Sequence, residues 1–167
     1  MRIGESPKDC IRTNSGIYMN VFEPKASMIN INDIAHALSF MPRFGGHLNR
    51  FYSVAQHSLL CVNLATTLEE KKTMLMHDAS EAYMLDIPTP IKNKLPEYKK
   101  YEATLMKLIS FKFGFDFPMN ETLMVVDAEA LTIEWENMVV TDNKDFICLT
   151  PEEAKKQFLD KFKELFV

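Results

Sequence analysis

From residue 32 onward, apolar side chains recur mostly at three- and four-residue intervals, the spacing that gathers them on one face of an α-helix. Ile34, Ala35 and Leu38 line one side of a short first helix, which Asn32 or Asp33 can cap and Pro42 ends. A turn-rich stretch, Arg43-Phe44-Gly45-Gly46-His47, follows. Ser53 can then cap a second helix over about residues 54–65, with Val54, Cys61, Leu64 and Ala65 on one face. Thr67 and Glu70 have the spacing of a capping box and open a third helix that runs to about residue 85. Pro88 and Pro90 force a loop, because the residue before a proline is pushed out of helical geometry. Pro96 suits the first position of a fourth helix and Gly114 its stop, with Tyr98, Tyr101, Leu105, Leu108 and Ile109 as the apolar stripe. A fifth helix spans about residues 121–138. The last opens on Thr150-Pro151-Glu152-Glu153, a second capping box, and carries Ala154, Phe158, Phe162 and Leu165 on one face. Residues 1–30 are the least periodic, with turns at Ser15-Gly16 and Glu23-Pro24, and read as extended or irregular. The expectation is an all-α fold, a compact bundle of about five to seven helices behind an irregular N-terminal segment, forming one domain over residues 1–167.

Several polar residues fall where this pattern calls for core. His57 lies three residues after Val54 and four before Cys61, on the buried face of the second helix. His77 and Asp78 are adjacent on the third, and Glu81 follows one turn later in the same sector. Asp127 falls inside the inward stripe formed by Leu123, Ala130 and Leu131. A buried carboxylate without a partner costs several kcal/mol, so each needs a cation or strong donors. Taken singly, such residues read as a hydrogen-bonded core histidine or an aspartate paired with an arginine. Taken together, three successive long helices each present an inward His or Asp, and a bundle can bring these to one point. Two imidazoles and two carboxylates make a sensible set for one divalent ion, suiting Mn, Co, Fe, Ni or Zn better than calcium or tightly held Mg.

Composition narrows the choice of partner. The net charge is −4 and the pI is near 5.6, which argues against a protein that coats a nucleic-acid polymer or lies on an anionic membrane. A local basic pocket for one phosphorylated small molecule remains allowed. No apolar run approaches the length of a spanning helix, and MRIGESPKDC lacks the apolar core of a signal peptide, so a cytoplasmic location is expected. Cys10, Cys61 and Cys148 are far apart with no CxxC pair, a poor basis for a disulfide scaffold or a zinc finger.

His57, then His77-Asp78, then Asp127 resembles the H…HD…D signature of HD-domain metal-dependent phosphohydrolases. The surroundings sharpen the likeness. His77-Asp78-Ala79-Ser80-Glu81, followed by Asp86-Ile87-Pro88-Thr89-Pro90-Ile91-Lys92, is similar to the stretch found in bacterial 5′-deoxynucleotidases of that superfamily. Gln56-His57-Ser58 and the upstream Arg43-Phe44 fit the same branch, and the small phage dATP triphosphohydrolases share its ground plan. The likeness covers residues 32–135. It implies that His57, His77, Asp78 and Asp127 hold one divalent cation, and that Glu81 is the acidic catalytic residue. It further implies that Asp86 positions water or the sugar, that Arg43 and Lys92 meet phosphate, and that Phe44 stacks near the base or sugar.

Three departures stand out. Phe44 replaces a tryptophan and lacks its indole N–H, the interval between His57 and His77 is shorter than in the nucleotidases, and no histidine follows His77. The last favours a mononuclear site. The implied reaction is removal of phosphate from deoxyribonucleoside 5′-monophosphates. Cleavage of a dNTP, such as dATP, to nucleoside and triphosphate is the alternative, and a catalytically silent nucleotide-binding module is a third. The relatives form dimers or larger rings, so a homo-oligomer is expected. His36 reads as structural, His47 as either a turn residue or a phosphate contact, and Trp135 as packing.

Overall fold

The N-termini of the long helices explain where the helices begin. The computed structural model describes residues 7–167. In α1 (Ile31–Phe40) the side chain of Asn30 accepts the backbone N–H of Asn32, and in α2 (Val54–Leu64) that of Ser53 accepts from Gln56. Helix α3 (Leu68–Met76) opens on a reciprocal capping box between Thr67 and Glu70, and α8 (Pro151–Phe166) on another between Thr150 and Glu153. Asn120 caps α7 (Glu121–Trp135) through Leu123. Each such cap is worth about 1 kcal/mol. Helix α6 (Pro96–Phe113) instead begins on a proline and stops at Gly114, whose left-handed φ of 77° suits glycine. Two single-turn helices, α4 (Glu81–Met84) and α5 (Thr89–Lys92), lie between α3 and α6.

The fold is all-α apart from one small antiparallel hairpin, β1 (Cys10–Arg12) with β2 (Tyr18–Asn20), in which Ile11 opposes Met19. Helix α8 packs on α1, α2 and α3, while α7 packs on α2 and α3. Between them lies a continuous core that includes Ile34, Leu38, Val54, Leu75, Met76, Ile109, Ala154 and Phe158. Among the described residues, no helix is long and apolar enough to cross a membrane.

The local readings need six corrections. Helix α1 is capped by Asn30, not by Asn32 or Asp33, because the Asp33 carboxylate is buried and accepts the N–H and the hydroxyl of Ser15 at 2.7 and 2.6 Å. That contact ties the hairpin turn to α1. The N-terminal segment, expected to be extended or irregular, contains these paired strands, and its first six residues lie outside those described. The loop expected at Pro88 and Pro90 instead holds the single-turn helix α5, with Pro90 in its first turn where a missing N–H costs nothing. The third helix ends at Met76; residues 77–80 wind tighter, with Ala79 bonding back to Met76 and Glu81 to Asp78, before α4 resumes. The fifth helix ends at Trp135 and widens into a π turn over Glu136–Val140. Finally, Leu131 is 44% exposed, and so sits at a rim and not in the core.

Candidate metal centre

Helices α2 and α7 and the tight turn after α3 converge on one point. His57, buried in the middle of α2, has its Nε2 3.0 Å from Oδ1 of Asp127 on α7 and 3.5 Å from Sγ of Cys61, one turn further along α2. His77, at the end of α3, has its Nε2 3.7 Å from the same Asp127 oxygen and 3.3 Å from Oδ2 of Asp78. Asp78 Oδ2 also lies 4.0 Å from His57 Nε2. One ligand atom each from His57, Cys61, His77 and Asp127 falls within 4.8 Å of all the others, and this group could hold a metal ion. Asp78 adjoins it.

The orientation of both imidazoles is set from behind. His77 Nδ1 donates to the carbonyl of Met74 at 2.8 Å, which turns Nε2 into the cluster, where it is buried and has no hydrogen-bond partner. His57 Nδ1 donates to Oε1 of Glu134 at 2.6 Å. Glu134 is fully buried, and its other oxygen accepts from Nη2 and Nε of Arg43 at 3.1 and 3.3 Å. A carboxylate behind a ligating histidine fixes its tautomer and raises its basicity. Arg43 neutralises that carboxylate.

The electrostatics of the cluster favour a positive charge. Burial opposes protonation of His77, yet the charges of Asp78 and Asp127 push its pKa up to about 10. Burial likewise opposes protonation of His57, and its bonds to Asp127, Cys61 and Glu134 still raise it well above the ordinary value. Asp127 is partly desolvated, but its bond to His57 and the charge of the nearby His77 imidazole hold it well below the usual carboxylate range. A site that draws extra protons onto buried imidazoles will draw a compact divalent cation in their place. The unpartnered His77 Nε2 and the mixed nitrogen, sulfur and oxygen donors fit such an ion.

In front of the cluster lies a cavity of about 350 Å³. Arg43, Phe44, Asp78, Glu81, Asp86, Lys92 and Asp127 all line it, so the structure gathers the expected substrate-facing residues with two of the expected ligands. Two of its walls are held in unusual backbone conformations. Phe44, Gly45 and Gly46 all have left-handed φ values, of 54°, 60° and 78°, which send Arg43 toward Glu134 while Phe44 reaches Trp135. Leu85, at φ 71°, precedes Asp86. Non-glycine residues in this region cost of order 1–3 kcal/mol and persist where the surroundings impose them.

Glu81 is buried, with Oε1 3.4 Å from Lys92 Nζ and Oε2 without a partner. Burial and then the charges of Asp78 and Asp86 push its pKa up to about 9, which favours the protonated form in the metal-free site. Burial also raises Asp86. Lys92 is held by Glu102 at 2.8 Å, and despite partial burial these acidic neighbours push its pKa above the usual range. Arg43 is thus engaged with Glu134, and Lys92 with Glu81 and Glu102, while both still line the cavity.

Two members were not identified from sequence. Glu134 lies seven residues after Asp127 and four after Ala130, on the inward stripe of α7, so the same periodicity could have found it. Cys61 had been placed on the His57 face, but as core. His36 contacts Phe40 and Lys155, away from the cluster, and His47 is an exposed turn residue whose N–H bonds to Phe44.

Along its length the chain is similar to YfdR, an uncharacterized protein of Escherichia coli (strain K12). The two are 37% identical over an alignment covering 93% of this chain and 94% of YfdR. The chain belongs to the YfdR family. A second uncharacterized relative, from Rhodobacter capsulatus, is 29% identical across 76% of this chain and 71% of its own length. No protein-family model matches the chain. The fold of this YfdR-family member thus carries a buried His/Cys/His/Asp group behind a polar cavity, compatible with a metal-dependent hydrolase.

Proposed function

We propose that this protein is an HD-type metal-dependent phosphohydrolase of small nucleotides, acting on deoxyribonucleoside 5′-monophosphates. The observation that carries the reading is the convergence of His57, His77, Asp78 and Asp127 behind a cavity that is also lined by a buried Glu81 with one carboxyl oxygen unpartnered. His57, His77 and Asp127 would hold the ion together with Asp78, whose Oδ2 lies 3.3 Å from His77 Nε2, and Cys61 belongs to the same cluster of ligand atoms. A divalent cation there supplies Lewis acidity toward a phosphoryl oxygen and lowers the pKa of water.

The chain's own groups account for the rest. Phosphoryl transfer requires positioning and neutralisation of charge more than covalent chemistry. Arg43 and Lys92 place positive charge along the cavity wall beside Asp78 and Asp127. Hydrolysis forms a bond from water oxygen to phosphorus and breaks the bond from phosphorus to the 5′ oxygen. That oxygen must gain a proton as it leaves. Glu81, pushed up to about 9, holds one at neutral pH and is suited to donate it, recovering a proton from solvent afterwards. Asp86, on the same wall, is placed to orient water or the sugar.

Cleavage of a dNTP at the same phosphorus is the second reading, favoured by the two cations, Arg43 and Lys92, that line the cavity and could meet a longer phosphate chain. The deciding experiment incubates protein loaded separately with Mn, Co or Zn with every dNMP, NMP and dNTP and separates the products. Nucleoside plus orthophosphate from monophosphates supports the first reading, and intact triphosphate supports the second. Equal inactivity of wild type and Asp78→Ala across the panel overturns both and leaves a silent nucleotide-binding module.

A further inference from the structure

A second groove, of about 460 Å³, adjoins the substrate cavity and shares two walls with it, Phe44 and Leu131. Its remaining lining is Thr132, Trp135 and Glu136. Trp135 reads as packing from its place in the sequence, yet it is 50% exposed and its indole N–H makes no hydrogen bond among the described residues. Its ring meets Phe44, centroid to centroid, at 6.1 Å and 44°, and the Arg43 guanidinium lies 5.6 Å from the other ring of that pair. An aromatic surface of this kind is left facing solvent beside a site built for charge.

We propose that Trp135, with Phe44 and Leu131 at its edge, is the platform on which the nucleobase of the substrate stacks. The inference rests on reading the cavity as a nucleotide site. Three observations select a base over any other occupant. The groove borders the cavity that holds Asp78, Asp127 and Arg43 along Phe44 and Leu131, which places it within reach of a molecule bound there. Asp127, Leu131 and Trp135 follow one another at roughly single-turn intervals on α7, which sets the backbone of Trp135 about 12 Å along the axis from that of Asp127. A nucleotide bound with its phosphate at Asp127 would therefore extend along α7 toward the indole. Lastly, stacking on an aromatic face needs no particular pattern of donors, and the groove walls are mainly apolar and aromatic.

Trp135 is the chain's one tryptophan, so its fluorescence reports the platform alone. The experiment titrates the zinc-loaded full-length protein with the non-hydrolysable 5′-methylenephosphonate analogue of dAMP, which stands for dAMP in every binding comparison, and with deoxyribose 5-phosphate and orthophosphate. Binding of each is measured by equilibrium dialysis in parallel, and hydrolysis is assayed separately with dAMP itself. The proposal predicts saturable quenching by dAMP with a midpoint equal to the dialysis Kd, and none by the sugar phosphate or orthophosphate. Trp135→Ala should shrink the affinity advantage of dAMP over deoxyribose 5-phosphate about ten-fold, and Trp135→Phe, which keeps a ring, should restore most of it. Binding of dAMP without quenching, or an advantage unaltered in Trp135→Ala, overturns the platform whatever the enzyme does. Quenching and binding without hydrolysis of any mono- or triphosphate overturns the phosphohydrolase reading and leaves the platform standing. Absence of dAMP binding overturns both.

Discussion

Replacing Glu134 with glutamine keeps the volume of the side chain and removes its charge. In the native protein one oxygen accepts from His57 Nδ1 at 2.6 Å and the other from Arg43 Nη2 and Nε, all in a fully buried position. Glutamine offers one carbonyl oxygen and one NH₂ group, so a donor must face either the imidazole N–H or the guanidinium. Breaking one side of a buried charge pair costs about 3–5 kcal/mol, because the other charge is left without compensation. The retained amide acceptor places Glu134→Gln at the low end, about 3 kcal/mol, or a fall in Tm of about 10 °C for a chain of this size. Loss of the carboxylate behind a ligating histidine should also weaken metal binding about 10–100-fold. Thermal melts of the chelated protein and metal titration of the same variant check the two effects separately. Wild-type Tm and wild-type metal affinity in Glu134→Gln would refute the claim that Arg43, Glu134 and His57 act as one unit.

Chelated protein should lose stability as the pH rises from about 6.5 to 10. His77 has a folded pKa pushed up to about 10, so the native state keeps a proton that the unfolded chain releases above its ordinary value near 6.5. Glu81, pushed up to about 9, acts in the same direction from its ordinary value near 4.5 upward. Urea denaturation at pH 6 and pH 9.5 checks this, and a gain toward alkaline pH would contradict it. Saturating metal should flatten the slope, since the bound ion replaces the imidazole protons that the chelated native state retains. Glu81→Gln should lower kcat by 10²–10⁴ and remove the alkaline limb of its pH profile, with KM much less affected; an intact limb would reassign the proton donor. Phe158→Ala, in the fully buried face of α8, should cost about 3–5 kcal/mol in denaturant unfolding, and a loss under about 1 kcal/mol would show that α8 is not anchored there.

What could be read from the sequence follows how local the determining physics is. Capping boxes at Thr67-Glu70 and Thr150-Glu153, Pro96 and Gly114 mark helix ends through contacts within a few residues, and the structure places the ends there. The cap of α1 was misplaced because Asp33 is claimed by Ser15, eighteen residues away, a partner that no local pattern shows. The tightening after Met76 was missed because the apolar period continues through it. The expected ligands did fall near one another, since inward-facing polar residues on converging helices have few places to go. Glu134 was overlooked although its spacing from Asp127 announces it, because a fully buried glutamate makes sense only once Arg43 and His57 are seen on either side. Leu131 and Trp135 read as packing because the pattern marks a helix face without saying whether another element covers it.

The account rests on a single cation held between α2, α7 and the turn after α3, and metal stoichiometry tests this most directly. Protein stripped with chelator, dialysed against Mn, Co or Zn and assayed by elemental analysis should bind one equivalent in the wild type and essentially none in Asp127→Ala. Equal metal content in the two proteins would place the ion elsewhere and contradict the assignment of the site.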